Sequence, residues 1–442
     1  MQVTFIKPTL GYLDDNQRFV DEGRMEPLSL GILAGLTPPG VDCRLFDDRI
    51  DQIDYDEPTD LVAITVETFT ARRAYEIAAE YMARKVPVVM GGMHATLIPD
   101  EVAEHADSVC TGDAESFWPQ VVADAHQGQL RPRYHGKLGT PQPGLLPRRD
   151  LYAGKKYLPV SLLQFGRGCR FQCEFCAVSE YFNQHVTTRP IAEVINEISS
   201  QPRRDIFFVD DNLIANPEAA KELFRALIPL NIRWVSQVSV NHTRDPEMMN
   251  LLVESGCMGN VIGFESLDLN NLEQMDKTPN LAAFDGYARA VATLREHHLQ
   301  TWAAFALGYD HDTVDSILET CAWGINNRFT FAAFNVLMPY PSTPFYKRLQ
   351  AEGRLLYDGR WWLHPEYRFN NAAFQPAQMT PDELTQAAWT CRQRWSSPSS
   401  IIKRALDPKT NLATSFRFFT YLIYNPLFRR EAFKKQGMRL GI

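Results

Sequence analysis

"GRGCRFQCEFC", residues 166–176, sets Cys169, Cys173 and Cys176 within eight positions at the spacing C-x3-C-x2-C. Thiols that close together read as ligands of one inorganic centre. A structural zinc site wants four ligands, usually as two pairs. The chain has no second C-x2-C or H-x3-H to complete one. An iron–sulfur cubane usually takes four thiolates. Three from one loop hold three irons and leave the fourth open to a small molecule. The other five cysteines, Cys43, Cys110, Cys257, Cys321 and Cys391, are scattered singly, as small buried apolar residues are.

Outward from the loop, "VSLLQFGRGC" reads as a strand running into the cysteines, and five further strand–helix units follow. The strands are "DIFFVDDN", "RWVSQVSVN", "NVIGFES", "QTWAAFALGYD" and "FTFAAFNVLMPYP". The helix "RPIAEVINEISS" between the first two shows apolar Ile191, Val194, Ile195 and Ile198 on one face, with Thr188 as the expected N-cap and Pro190 in the first turn. Six such units predict a partial (β/α)6 TIM-like barrel, open at one side, over residues 160–345. In parallel barrels the functional groups collect where strands end. Here those ends carry the three cysteines; Asp210, Asp211 and Asn212; Gln237 and Ser239; Glu265 and Ser266; Gly308; and Tyr340. Asp210, Asp211 and Asn212 read equally well as caps of the next helix.

Residues 1–140 alternate strand and helix with short connections, from "QVTFIKP" through "DLVAITVET" and "VPVVMGG". The continuous apolar runs are those of a buried parallel sheet, so the fold class is α/β, with an N-terminal doubly wound sheet. Thr65, Glu67, Thr68, Gly91, Gly92 and His94 lie past strand ends, where open α/β sheets bind ligands. Residues 141–159 read as a Pro- and Arg-rich linker. Residues 346–442 form a mainly helical C-terminal region, expected to close the barrel, with the aromatic stretch 361–374 at its open side. "FRFFTYLIYNPLFRR" in the tail suits a core helix, a dimer contact, a lipid-like substrate or peripheral membrane contact.

Bulk properties narrow the classes. The 442 residues are 45% hydrophobic and 22% charged, with a net charge of −8, which excludes a general electrostatic pull toward nucleic acid. The opening residues read as strand rather than secretory leader, and no run of about 18 apolar residues occurs. A cytoplasmic location is expected, where clustered cysteines are metal ligands rather than disulfides.

The C-x3-C-x2-C loop after a first barrel strand, with the aromatic Phe175 before the last cysteine, resembles the radical S-adenosylmethionine (SAM) superfamily. "FFVDDN", "GFES", "LGYDHDT" and "PYPSTPFYKRL", together with "EPLSLGILAGLTP", "DLVAITVET", "VVMGGMHATLIPDEV" and "ADSVCTGDAES", resemble its class with an N-terminal cobalamin-binding domain. The resemblance implies a [4Fe–4S] cluster on the three cysteines whose fourth iron chelates SAM. Phe175, Asp210, Asp211, Gln237, Ser239, Glu265 and Gly308 then border SAM, with Gly308 where adenine approaches backbone. Tyr340 is the candidate residue facing substrate. Thr65, Glu67, Thr68, Gly91, Gly92 and His94 would line a cobalamin pocket. The cobalt-ligating motif D-x-H-x-x-G is absent: Gly92 stands two before His94, and Ala95, Thr96 and Leu97 follow it. The implied activity is methylation of an unactivated carbon of a small-molecule or lipid-like substrate, through a 5′-deoxyadenosyl radical and methylcobalamin. An external donor such as flavodoxin or ferredoxin would supply electrons. Two alternatives stay open: radical SAM coupling, rearrangement or oxidation over a vestigial N-terminal domain, and a non-catalytic iron–sulfur or zinc protein.

Overall fold

The computed structural model describes residues 1–13, 19, 23–139 and 141–441. Position 140, the expected edge of the first unit, lies outside them. Two six-stranded parallel sheets dominate. The first contains β1 (Gln2–Lys7), β2 (Asp42–Asp47), β3 (Leu61–Thr65), β4 (Val88–Gly91), β5 (Ser108–Thr111) and β6 (Arg133–His135), in the order β2-β1-β3-β4-β5-β6. Its apolar runs are buried on both faces. Ile6, Val62, Ile64 and Met90 pack toward Ile77 and Tyr81 of the helix Ala71–Ala83. Phe5, Ala63 and Val89 pack toward Leu30 and Trp118. The order in which strands are added reverses between β1 and β3, and the carboxyl ends of the strands at such a reversal border a crevice.

The second sheet follows after β7 (Ser161–Leu163) and the short antiparallel pair β8 (Gly166–Arg167) and β9 (Thr187–Thr188). Its further strands are β10 (Asp205–Phe208), β11 (Arg233–Val238), β12 (Cys257–Glu265), β13 (Gln300–Leu307) and β14 (Phe331–Val336). The order β14-β13-β12-β11-β10-β7 is sequential and all parallel. Among the described residues β7 and β14 do not pair, so the barrel is open as expected. The bare edge of β14 is blunted by arginine side chains: Arg392 Nη2 donates to Phe334 O at 2.7 Å and Arg404 Nη1 to Thr330 O at 3.0 Å. Burial alternates along these strands. In β11, Trp234, Ser236 and Val238 are buried, while Arg233 and Gln237 are exposed. One face meets the outer helices and the other an accessible lumen.

Three details depart from expectation. The first barrel strand stops at Leu163 and resumes as β8, whose pairing with β9 makes a neck for the cysteine loop. Thr188 therefore lies in β9 rather than capping a helix, and Pro190 precedes the helix Ile191–Ser199. Trp361, Trp362 and Tyr367 join the core of the first sheet instead of closing the barrel. Leu384, Ala388 and Trp395 of the helix Pro381–Trp395 pack on the barrel core.

Candidate active site at the mouth of the second sheet

The cysteine loop is held at its neck by backbone geometry. Gly168 has φ +82°, and a Cβ there would stand 2.0 Å from His185 O, so only glycine fits. Asp210 and Asp211, just past β10, grip the same segment. Asp210 accepts from Phe165 N at 3.0 Å and from Gly166 N, and Asp211 accepts from Gly168 N at 3.0 Å. Burial drives the Asp210 carboxyl up to about 7, outweighing those two amides. These acids thus position the loop. The cap of the helix that follows is Asn216, whose side chain accepts from Ala219 N, so Asp210, Asp211 and Asn212 do not cap it.

Asn212 does reach the cysteines. Its Nδ2 donates to Ser239 Oγ at 2.9 Å and lies 3.8 Å from Cys169 Sγ, while its buried Oδ1 has no hydrogen-bond partner. A buried orphan acceptor beside a thiol is a place for a donor from outside the chain. Gln237 faces the lumen, and its Nε2 lies 3.5 Å from Asp210 O.

Glu265, at the end of β12, has a left-handed backbone, φ +62°, and sits where the pairing with β13 slips register. Such strain in a non-glycine residue persists where the surroundings over-determine it. Its Oε1 accepts from Lys277 Nζ at 2.8 Å, and that ammonium lies 5.7 Å from the centre of the Phe175 ring. Burial works against the charged Lys277, but Glu265 and the nearby Cys173 outweigh it and raise its pKa. Burial pushes the Cys173 thiol up to about 12, with Lys277 pulling back. Lys277 joins Phe175, Glu265 and Cys173 into one cluster, although nothing in its sequence context marks it.

Glu174, between the second and third cysteines, was equally unmarked. It accepts from Arg348 Nε at 2.7 Å and from the Tyr309 hydroxyl. Arg348 also donates to Asp310 Oδ2 at 2.7 Å. This chain of charges fastens the loop to the end of β13. Gly308 is explained by packing: at φ +103°, a Cβ would stand 2.4 Å from Leu384 Cδ2. The left-handed backbone there favours glycine by itself, with Leu384 close against it.

Tyr340 lies on the side of the mouth that faces the first sheet. Its ring centroid is 6.1 Å from that of Phe69 and 6.3 Å from that of Trp361. Burial raises its phenol pKa, with Glu67 and Cys176 adding to the effect, so it stands between the cysteines and the end of β3. A cavity of about 380 Å³ opens between residues of the first unit and the neck of the cysteine loop. Its walls include Thr65, Gly91, Gly92 and Trp118 from the first sheet, and Arg167, Tyr181 and Asp211 from the second. Gly92 has φ +105°, and a Cβ there would meet Val66 O at 2.9 Å.

Three residues expected on that wall are placed otherwise. His94 is wholly buried, with Nδ1 3.1 Å from Thr68 Oγ1 and Nε2 3.2 Å from Glu101 Oε1. Both ring nitrogens are committed, so neither His94 nor Thr68 is offered to a ligand. Glu67 forms an ion pair with Lys7 across the reversal between β1 and β3, and 59% of its side chain stays accessible. Glu101, which sequence reasoning missed, also accepts from Tyr75 Oη at 2.9 Å, Trp362 Nε1 at 2.8 Å and Arg360 Nη2 at 2.7 Å. Burial would raise its pKa, but the donors led by His94 and Arg360 hold it down at about 2.

The donor set fits a cubane held by three thiolates. The cysteines share one loop, a cation stands beside them, and an orphan acceptor marks room for a chelated ligand. Among the described residues no three His, Cys, Asp or Glu groups close on a point for a single ion; a cubane takes each thiolate at a separate iron.

Residues 163–324 match the family model of the radical SAM superfamily. Over that segment the chain is similar to the superfamily, whose domain implies SAM and a [4Fe–4S] cluster. The chain is also 29% identical over 399 residues to the bacteriochlorophyllide d C-12(1)-methyltransferase of Chlorobaculum tepidum, covering 87% of this chain and 86% of that one. It is 24% identical to the hopanoid C-2 methylase of Rhodopseudomonas palustris, covering 86% and 73%. The fold is shared with the radical SAM methyltransferase TsrM of Kitasatospora setae, solved with cobalamin and a [4Fe–4S] cluster (TM-score 0.61, 16% identity, 87% and 84% covered). It is also shared with the cobalamin-dependent enzyme OxsB, solved with aqua-cobalamin (TM-score 0.66, 12% identity, 97% and 71% covered).

Proposed function

We propose that this protein is a cobalamin-dependent radical SAM methyltransferase acting on an unactivated carbon of a small-molecule or lipid-like substrate. The observation that carries the reading is that the cavity walled by the ends of β3 and β4 is also walled by Arg167 and Asp211, at the neck of the three-cysteine loop that Glu265 and Lys277 adjoin. When bound, the cluster and SAM supply a 5′-deoxyadenosyl radical, and cobalamin supplies the methyl group. Cys169, Cys173 and Cys176 hold the cluster. Asn212 offers Oδ1 to the amino group of SAM, and Glu265, paired with Lys277, faces its polar end. Phe175 lies against the bound cofactor, and Gln237 and Ser239 line the lumen beside it. Thr65, Gly91 and Gly92 present the β3 and β4 ends to the corrinoid, and no imidazole is offered to cobalt. Tyr340 faces the substrate, and the barrel mouth admits electrons from a flavodoxin- or ferredoxin-like donor. In domain terms, residues 1–140 form the corrinoid unit, 141–159 the connection, 160–345 the radical unit, and 346–442 a region packing on both.

The test uses protein purified and reconstituted without oxygen, given SAM and a strong reductant, and titrated with a corrinoid. 5′-Deoxyadenosine formation together with saturable corrinoid binding is expected. Formation without corrinoid binding overturns methyl transfer and leaves the vestigial-domain alternative. Neither, with iron bound, leaves a non-catalytic iron–sulfur protein.

A further inference from the structure

The last two helices present an apolar surface that none of the described residues covers. Among the described residues, twelve large apolar side chains are exposed, and seven of them fall between positions 402 and 423. Ile402 and Leu406 flank the end of the helix Pro398–Ala405. Leu412, Phe416, Phe419, Leu422 and Ile423 follow into the helix Ser415–Lys435, with Phe419 61% and Ile423 63% accessible. Spacings of three and four align positions 416, 419 and 423 on one stripe of that helix. The opposite face is already used: Tyr421 is buried, with its hydroxyl donating to Ile401 O at 2.8 Å, and Asn425 is 3.2 Å from the buried Arg404 Nη1. An ordinary surface helix puts polar residues where this one puts phenylalanine and isoleucine, and a cluster of this kind marks an interaction face.

The charge around the patch says what covers it. Segment 398–435 carries eight Lys and Arg against two acids, in a chain whose net charge is −8. Both acids, Asp407 and Glu431, are buried, whereas Lys403, Lys409, Arg429, Arg430 and Lys434 are exposed. Every exposed charge of the segment is therefore basic. Aromatic and aliphatic side chains ringed by cations suit the boundary between acyl chains and anionic headgroups. A two-fold contact of this patch with its copy would set the basic rims of the two against each other. No helix among the described residues is long and apolar enough to cross a membrane, so the contact lies on the surface.

We propose that the helices Pro398–Ala405 and Ser415–Lys435 dock this protein onto an anionic lipid bilayer. The docking face lies at the opposite end of the barrel from the cysteines. Gln300 Nε2 is 3.2 Å from Asn411 Oδ1, and Arg417 bonds to His298 O, both where β13 begins. Docking thus leaves the barrel mouth open. The inference rests on the methyltransferase reading only in that a membrane-bound enzyme suits a lipid-like substrate.

The test is flotation of the full reconstituted chain with vesicles of phosphatidylcholine alone or of phosphatidylcholine with phosphatidylglycerol. Binding to the phosphatidylglycerol vesicles is expected, weakening as salt rises. It should fall at least ~10-fold in the double variant Phe419→Ser, Ile423→Ser, whose side chains are mostly exposed. 5′-Deoxyadenosine formation and the circular dichroism spectrum of that variant should match the parent, excluding misfolding. Absence of binding, equal binding by the variant, or a parent dimer that the variant converts to monomer overturns the proposal. In the last case the patch is a subunit interface. Loss of 5′-deoxyadenosine formation in the parent would instead strike the functional reading and leave vesicle binding standing.

Discussion

The two sheets have the same number of strands and the same parallel pairing, yet they build opposite kinds of site. In the first, strand order reverses once, and strands such as β3 are buried along almost their whole length. Its ligand space lies outside the strands, at their ends. In the second, the order runs in sequence and burial alternates along β11. The sheet curls, and its inner face becomes a lined space. A monotonic order lets each strand add the same twist and tilt until the sheet approaches closure, whereas a reversal splits the helices to two sides and opens a crevice. The first sheet therefore offers glycine-lined backbone to a large ligand, and the second offers charged side chains to a small one.

That contrast is most sharply tested at the cysteines. Cys169→Ala, Cys173→Ala or Cys176→Ala should each abolish iron loading and cut 5′-deoxyadenosine formation by ~10³-fold or more, while corrinoid binding by the first sheet persists. Cys257→Ala should leave both in place. Retained SAM cleavage in any of the three loop variants would break the assignment.

Next in size is the Glu265–Lys277 pair. Lys277→Met leaves a carboxylate in a protein interior without its cation, which costs ~3 kcal/mol of stability. SAM affinity should also drop ~10–100-fold. Adding Glu265→Gln should restore the melting temperature but not SAM binding, measured by equilibrium dialysis. If binding returns as well, the pair only braces β12.

Glu101 probes the seam between the first sheet and the C-terminal region. Its folded pKa of about 2 lies below the ordinary carboxylate value. The stabilisation it brings is thus complete above that ordinary value and lost as pH falls toward 2. By linkage it amounts to ~2–3 kcal/mol. Glu101→Gln should lower the melting temperature at neutral pH and flatten its decline below pH ~4.5. An unchanged acid limb would show that another group carries it.

The smallest effect belongs to the accessible Lys7–Glu67 pair. Glu67→Gln should shift stability by less than ~1 kcal/mol, read as a melting change of a few degrees at most. A larger loss would mean that the crevice between β1 and β3 is closed by this pair.

Much of this was legible in the chain. Apolar runs of four to six residues separated by amphipathic helices announced both sheets, and the six consecutive strand–helix units after residue 160 announced the barrel. The cysteine spacing announced the inorganic centre. What stayed hidden were side chains whose partners are distant in sequence: Lys277 beside Glu265, Arg348 on Glu174, and Arg360 and Trp362 on Glu101. Asp210 and Gly308 were read as ligand contacts because acids and glycines at strand ends often are. Their hydrogen-bond and packing partners, Phe165 and Leu384, give them work inside the protein. His94 was expected on the pocket wall without a cobalt-ligating motif, and its partners Thr68 and Glu101 hold it in the interior.

By itself the sequence determined the local matters: strand and helix periodicity, the three thiols on one loop, and the glycine turns. These depend on neighbours within a few residues and follow from steric and hydrophobic rules. Only the tertiary structure decided which polar groups face a ligand and which brace the fold. That choice depends on what each donor or acceptor meets once the chain is packed, and a buried polar atom takes whichever partner the packing brings within reach.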